Sequence, residues 1–392
     1  MKSNLTPRST RILSTRILPI AGLLLAAVHA ASAASSWNGV AGDWTDATKW
    51  TGGIPVSALT DLATFNTTSG SAGVQTLLNG DQSALGLVFN TVGGLSAIRS
   101  TVAGQSLTLG TSGITWINQL DLGGTGAFAM VVKLAGSQLW SGSSALIQLN
   151  SGGPATQESI TNATATPVTL TLGGAGAGTR TIGGVINDGT LGGTTALVIN
   201  ATGNPNTNLF GANTYSGGTT LTQGILTLGN ATALGAGSGV FTLNSTAAKT
   251  LQTNILGGVT LTNNNPMAWN GNFTLGGAQN INFGTGAITP GGATPRTITL
   301  NAASNPVNYT FGGNISGVGF GLTLVNQSSG LTNAMLRLDG TNTYDAGTTI
   351  TGGLAGLTHL NFSLCSSENT RTRKLRKSYA DNVAYRESRT HL

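Results

Sequence analysis

Gly211–Leu228 reads G-A-N-T-Y-S-G-G-T-T-L-T-Q-G-I-L-T-L, and Gly340–Leu357 reads G-T-N-T-Y-D-A-G-T-T-I-T-G-G-L-A-G-L. The two stretches lie 129 residues apart. The same offset pairs Trp140 with Trp269, Gly142 with Gly271, Gly183-Gly184 with Gly312-Gly313, Ile186 with Ile315 and Leu209 with Leu338. One register therefore holds without a net gap from residue 140 to residue 228 of the first copy. A unit of this length is too large for one strand pair, and its glycine content makes it a poor helix. It predicts stacked β coils that bury their apolar sides against each other. The repeat units run over about 84–212 and 213–341, with a partial unit over 342–362.

Away from the repeated motif, short runs alternate with period two: Leu85–Phe89, Leu107–Leu109, Val168–Leu172, Leu197–Ile199, Ile225–Leu228, Val259–Leu261, Phe273–Leu275, Ile281–Phe283, Ile298–Leu300 and Leu322–Leu324. Leucine or isoleucine faces one way and threonine the other, as a half-buried strand requires. Threonine suits a pleated surface through its branched Cβ. Clusters such as Gly173–Gly178, Asn187-Asp188-Gly189, Asn263–Pro266 and Ser304–Pro306 read as turns. Two all-β architectures fit this pattern, a parallel β-helix and a series of β-sandwich modules. The unbroken register and the lack of linker-like segments favour the first. The predicted fold class is all-β, a parallel β-helix (solenoid) of Gly/Thr/Asn-rich repeats over residues 35–362. At about 20 residues per coil this predicts about 16 coils and roughly 75 Å of rod. The open end of such a stack needs a cap. Trp37, Trp44 and Trp50 are half of the six tryptophans. They read as an aromatic N-terminal cap over 35–66, with a sugar-stacking site as the functional alternative.

The two ends differ from this body. Residues 1–34 read as a signal peptide: Lys2, Arg8, Arg11 and Arg16 precede an apolar run, Ile17–Val28, and Ala31-Ser32-Ala33 supplies a cleavage site. That apolar run is short for a membrane span, which needs about 20 residues. The expected location is therefore beyond the inner membrane, at the cell surface or outside the cell, or in the periplasm without a translocator. Residues 363–392 hold ten charged residues, against sixteen in all of 35–362. This basic tail reads as frameshifted or truncated coding sequence, with a solvated disordered end and a lipid- or polysaccharide-binding tail as alternatives. No stretch reads as the alternating strands of an outer-membrane translocator barrel.

The net charge of +6 comes from the ends. Between residues 35 and 362 there are seven basic and nine acidic side chains, so the body gives no reason to expect nucleic-acid binding. Its histidines and cysteine are placed as sparingly: His29, His359, His391 and Cys365 all fall outside 35–358. Ser-His-Asp and Cys-His nucleophilic sites and the usual zinc sets are thereby removed from the body. Glycoside hydrolysis needs two opposed carboxylates. Of Asp43, Asp46, Asp61, Asp81, Asp121, Glu158, Asp188, Asp339 and Asp345, only Asp43 and Asp46 cluster, beside Trp44 and Trp50. Asp188 and Asp339 sit in Asp-Gly turns. Tyr215 and Tyr344 occupy equivalent positions, where a ring covering the core edge with its hydroxyl reaching water or a turn amide is expected. Asn213 and Asn342 are expected to bond within a turn or to stack as ladders. No catalytic, cofactor or metal residue is assigned.

The N-T-Y-S-G-G-T-T-L-T-Q-G-I-L-T-L-G segment Asn213–Gly229 resembles the autotransporter-associated β-strand repeat. The opening Trp37-Asn38-Gly39, Gly42-Asp43-Trp44, Lys49-Trp50 and Asp61–Phe65 is similar to the start such proteins often show. The second copy departs from the pattern at Ala346 and over Leu354–Leu357. The resemblance implies a parallel β-helix passenger exported across two membranes, and no enzyme activity. The expected function is a non-enzymatic, structural or adhesive surface protein with surface, matrix or glycan ligands. The alternatives are a polysaccharide-active β-helix and the truncated product of a frameshifted gene.

Overall fold

The computed structural model describes residues 34–351, except for 40, 67–74, 91–93, 103, 124–128, 144–146, 151–152, 177, 204, 245–246, 305 and 329–333, together with residues 376–377. All of these belong to one compact unit, Ala33–Leu392. Of the expected signal peptide only Ala34 is described, and of the expected tail only Arg376–Lys377, which pairs with Thr349–Ile350.

Period-two alternation becomes a parallel β-solenoid of about 11 turns. Chain-linked pairings run through successive coils as Ser35, Ala63, Leu87, Ile114, Trp140, Leu172, Ile199, Leu221, Leu243 and Trp269. Every member of this column is buried. The column also explains the repeat: Trp140 and Trp269 are separated by five coil steps, so 129 residues make five coils of about 26 residues each. The expected coil of about 20 residues was too short, and the stack has fewer turns, rising roughly 50 Å at one strand spacing per turn. Register partners on successive coils lie 19 residues apart at Leu209 and Leu228 but 32 apart at Trp140 and Leu172. Turns therefore absorb most of the variable length, with register shifts inside three of the strand pairs, and an average taken from other repeat families misses this.

Two long strands bend between faces at glycine. Thr219–Leu228 pairs with Thr195–Ala201 through its first half and with Asn206–Leu209 through its second. The bend falls at Gly224, whose φ of 98° is open to glycine. Ser106–Trp116 turns the same way near Gly113, where a Cβ would strike the Leu139 carbonyl. From residue 259 onward a third, four-stranded parallel sheet forms from Val259–Thr260, Ile281–Asn282, Val307–Phe311 and Ala334–Leu338.

The first strand, Ala34–Trp37, pairs parallel with Leu62–Phe65 and antiparallel with Trp50–Thr51. The antiparallel segment lies along the edge that a solenoid would otherwise leave unpaired. Trp37, Trp44 and Trp50 are all buried and pack on Phe65, with ring centroids 5.0 to 6.2 Å apart. Phe65 in turn stacks on Phe89 at 4.6 Å. Rings so enclosed present no face for a sugar, which sets aside the stacking alternative.

Candidate functional site

The motif that identifies the repeat is an inter-coil clamp. Asn213 is 1 % exposed; its Oδ1 accepts from the Ile186 amide at 2.9 Å, one coil back, and its Nδ2 donates to the Ala233 carbonyl at 2.8 Å, one coil forward. Asn342 repeats the first bond to Ile315 at 2.9 Å. These bonds join coils, and neither turn-internal bonding nor ladder stacking describes them. Gly211 packs against the Gly184 carbonyl and Gly340 against the Gly313 carbonyl, so closely that a Cβ could not be accommodated. The paired glycines at the 129-residue offset are thus the points where backbones of adjacent coils touch.

Tyr215 differs from expectation. It is fully buried, and its hydroxyl meets Thr219 Oγ1 at 2.5 Å and the Ala233 carbonyl at 3.5 Å, so it reaches neither water nor a turn amide. Tyr344 pairs with Thr348 Oγ1 at 2.7 Å in the same i, i+4 arrangement. Burial raises the pKa of Tyr215, and the Thr219 bond opposes that shift. Burial likewise raises that of Tyr309, whose hydroxyl has no partner among the described residues.

The carboxylates are bound into the frame. Asp46 caps a 3-10 turn, Ala47–Lys49, accepting from Thr48 Oγ1 at 2.6 Å and the Thr48 amide at 2.9 Å, and both bonds lower its pKa. Asp43 accepts from Asn79 at 3.2 Å. The two are joined by a backbone bond, Asp46 N–H to the Asp43 carbonyl, but their side chains turn to different partners. Asp61 holds the Val56 amide and Asp81 the Ser106 amide. Asp121 pairs with Arg99 and Asp339 with Arg337, each at 3.0 Å. Glu158 accepts from Asn187 one coil on. Asp188 does more than shape its own turn, because it takes the Thr195 amide and the Ser216 hydroxyl of the next coil. At the second repeat the polarity is exchanged: Asp345 replaces Ser216 and accepts from the Gly319 amide at 2.5 Å. Among the described residues no three His, Cys, Asp or Glu side chains converge.

Three cations missed in the sequence lie inside. Arg180, Lys249 and Arg296 are 2 %, 2 % and 5 % exposed. Each opens a strand, and each donates to the carbonyl two residues before it: Gly178 at 3.4 Å, Ala247 at 2.7 Å and Thr294 at 2.6 Å. Arg180 also reaches the Gly173 carbonyl, and Arg296 the Trp269 and Gly291 carbonyls. Burial lowers the pKa of all three. The signal was present: Arg180-Thr181-Ile182, Lys249-Thr250-Leu251 and Arg296-Thr297-Ile298 share one pattern, a lone cation before a strand in a chain poor in charge.

A concave polar region lies on the outer side of the third sheet. Thr260, Asn282 and Thr310 are register partners on successive coils. Two adjoining depressions share these three residues. One, of about 220 Å³, extends toward Gly257, Gly258, Asn280 and Asn308; the other, of about 480 Å³, extends toward Asn264, Gly284, Gly312 and Asp339. Together they form an open trough with hydroxyl and amide side chains on its floor and both glycines and asparagines along its sides. Compared with known proteins, the chain matches no family model, no curated protein and no solved structure.

Proposed function

We propose that this chain is an exported, non-enzymatic β-solenoid, similar to an autotransporter passenger, that serves as a structural or adhesive element at the cell surface. The observation that carries this reading is where the polar groups go. Carboxylates, buried amides and internal cations are engaged in holding coil to coil, which is the arrangement of a scaffold. The leader-like residues 1–34 support export, and the Asn213–Gly229 motif supports the passenger comparison. An absence of cysteine from the body suits a chain that crosses membranes unfolded before it folds.

Expression of the full chain in a Gram-negative host, with antibody labelling and protease treatment of whole cells, tests this. Labelled protein removed by external protease, together with increased retention of the cells on coated surfaces, is the expected result. Protein confined to the cytosol of intact cells, with its leader uncleaved, would overturn the export reading. Turnover of a polysaccharide by the purified chain that is abolished in Asp43→Asn/Asp46→Asn would replace the non-enzymatic reading with a catalytic one.

A further inference from the structure

Many polar side chains of this protein are engaged by a neighbouring coil, and those on the floor of the third-sheet trough are not. The hydroxyls of Thr260 and Thr310 have no partner among the described residues, and Asn282 engages only its Oδ1, on the Gly284 amide at 2.9 Å. Asn308 Oδ1, at the trough's side, is enclosed and without a partner. Donors and acceptors thus recur along the stack at one coil spacing, about 4.8 Å. Gly257, Gly258, Gly284 and Gly312 line part of the trough's flanks and leave the depression open there, while Asn264, Asn280 and Asn308 border the rest. The nearest charges, Arg337 and Asp339, satisfy each other at 3.0 Å.

We propose that this trough binds a neutral polysaccharide, its chain lying along the stacking axis so that successive sugars meet successive coils. The inference rests on the adhesive reading above and gives it a ligand class. Sugar hydroxyls both donate and accept, and so match a row of threonine hydroxyls and asparagine amides, whereas an anionic glycan finds no free cation on the floor. A peptide added as a strand is excluded because the trough lies on a sheet face, where main-chain groups are already paired. Without an aromatic platform each contact is weak, so a single hexasaccharide is expected to bind at about millimolar Kd. Many copies engaging one polymer then supply avidity.

The test titrates the purified full chain with maltohexaose, cellohexaose, N-acetylchitohexaose and heparin, to tens of millimolar sugar, by ligand-observed NMR and calorimetry. Saturable binding of at least one neutral hexasaccharide is expected, weakened about tenfold or more in Thr260→Val/Asn282→Leu/Thr310→Val. Binding should be unchanged in Thr274→Val/Thr299→Val, whose side chains face outward on a different sheet. If the triple variant fails to fold, Thr310→Lys gives the same readout by placing a long side chain in the trough. No saturation by any neutral glycan, binding to heparin alone, or equal losses in both variants would overturn the proposal. Cell retention measured with the same variants separates the two readings. Retention that survives the triple variant sinks the trough and leaves adhesion standing, whereas wild-type protein that confers no retention sinks adhesion itself.

Discussion

An asparagine side chain carries one acceptor and a pair of donors, and Asn213 directs them to opposite neighbours in the stack. Replacing it by alanine leaves the Ile186 amide and the Ala233 carbonyl in an enclosed site without that partner. Asn213→Ala should therefore cost about 2 kcal/mol or more, seen as a lower denaturant midpoint. Asn342→Ala should cost less, because Asn342 bonds Ile315 while its Nδ2 is unpaired among the described residues. The two buried tyrosines make an opposed pair. Tyr215→Phe removes a bond to Thr219 and should destabilise by about 1 kcal/mol, while Tyr309→Phe removes an unpartnered hydroxyl and should be neutral or stabilising by about 1 kcal/mol. Both phenols have raised pKa values in the folded state. The unfolded chain therefore releases their protons first, at about pH 10. Their contribution is complete below that pH and declines as pH rises toward the folded values. Denaturant midpoints measured from pH 8 upward should fall beyond about pH 10, and the fall should be shallower in the double phenylalanine variant.

At the scale of strands and turns, each coil is held by what happens at its corners. A cation that opens a strand and donates back to the preceding turn closes that turn, and in Arg296 three carbonyls share one guanidinium. Arg296→Met keeps much of the apolar stem and removes all three bonds, so a loss of about 2–4 kcal/mol is expected by denaturant unfolding. Glycines differ by their surroundings. Gly211→Ala would drive a Cβ into the Gly184 carbonyl and force two coils apart, a change expected to prevent folding or to cost more than about 3 kcal/mol. Gly192 has a φ of 90° but nothing within 4 Å of a Cβ, so Gly192→Ala should cost only about 1 kcal/mol of backbone strain. Thermal melts of the two variants separate close packing from conformational freedom as the reason for glycine.

Across the whole solenoid, the 129-residue offset is five coils, and this makes it a unit that can be removed. Excision of residues 213–341 joins Ala212 to Asn342, whose Oδ1 then lies where Asn213 met the Ile186 amide. Thr348 takes the place of Thr219 against Leu197. The shortened chain should remain folded, with an unchanged far-ultraviolet spectrum per residue and a smaller denaturant m-value, because less surface is exposed on unfolding. A deletion that ignores the offset would bring inward leucines opposite outward threonines and should yield aggregated protein.

Much of this fold was legible along the chain because its cause is local. Whether a residue such as Leu170 or Thr171 faces core or water follows from the alternation of a strand, and a long repeat in register requires stacking. The paired glycines and the Asn-Thr-Tyr motif were visible for the same reason. What could not be read concerns groups that meet across coils, some 19 to 32 residues apart. Turn lengths vary, so spacing alone did not give the coil length, the partner of Asn213 or the burial of the Tyr215 hydroxyl. Arg180, Lys249 and Arg296 look like surface charges until the carbonyls they hold are in place. The trough depends on stacking most of all. Thr260, Asn282 and Thr310 become neighbours only because the backbone hydrogen bonds of the third sheet set them one coil apart.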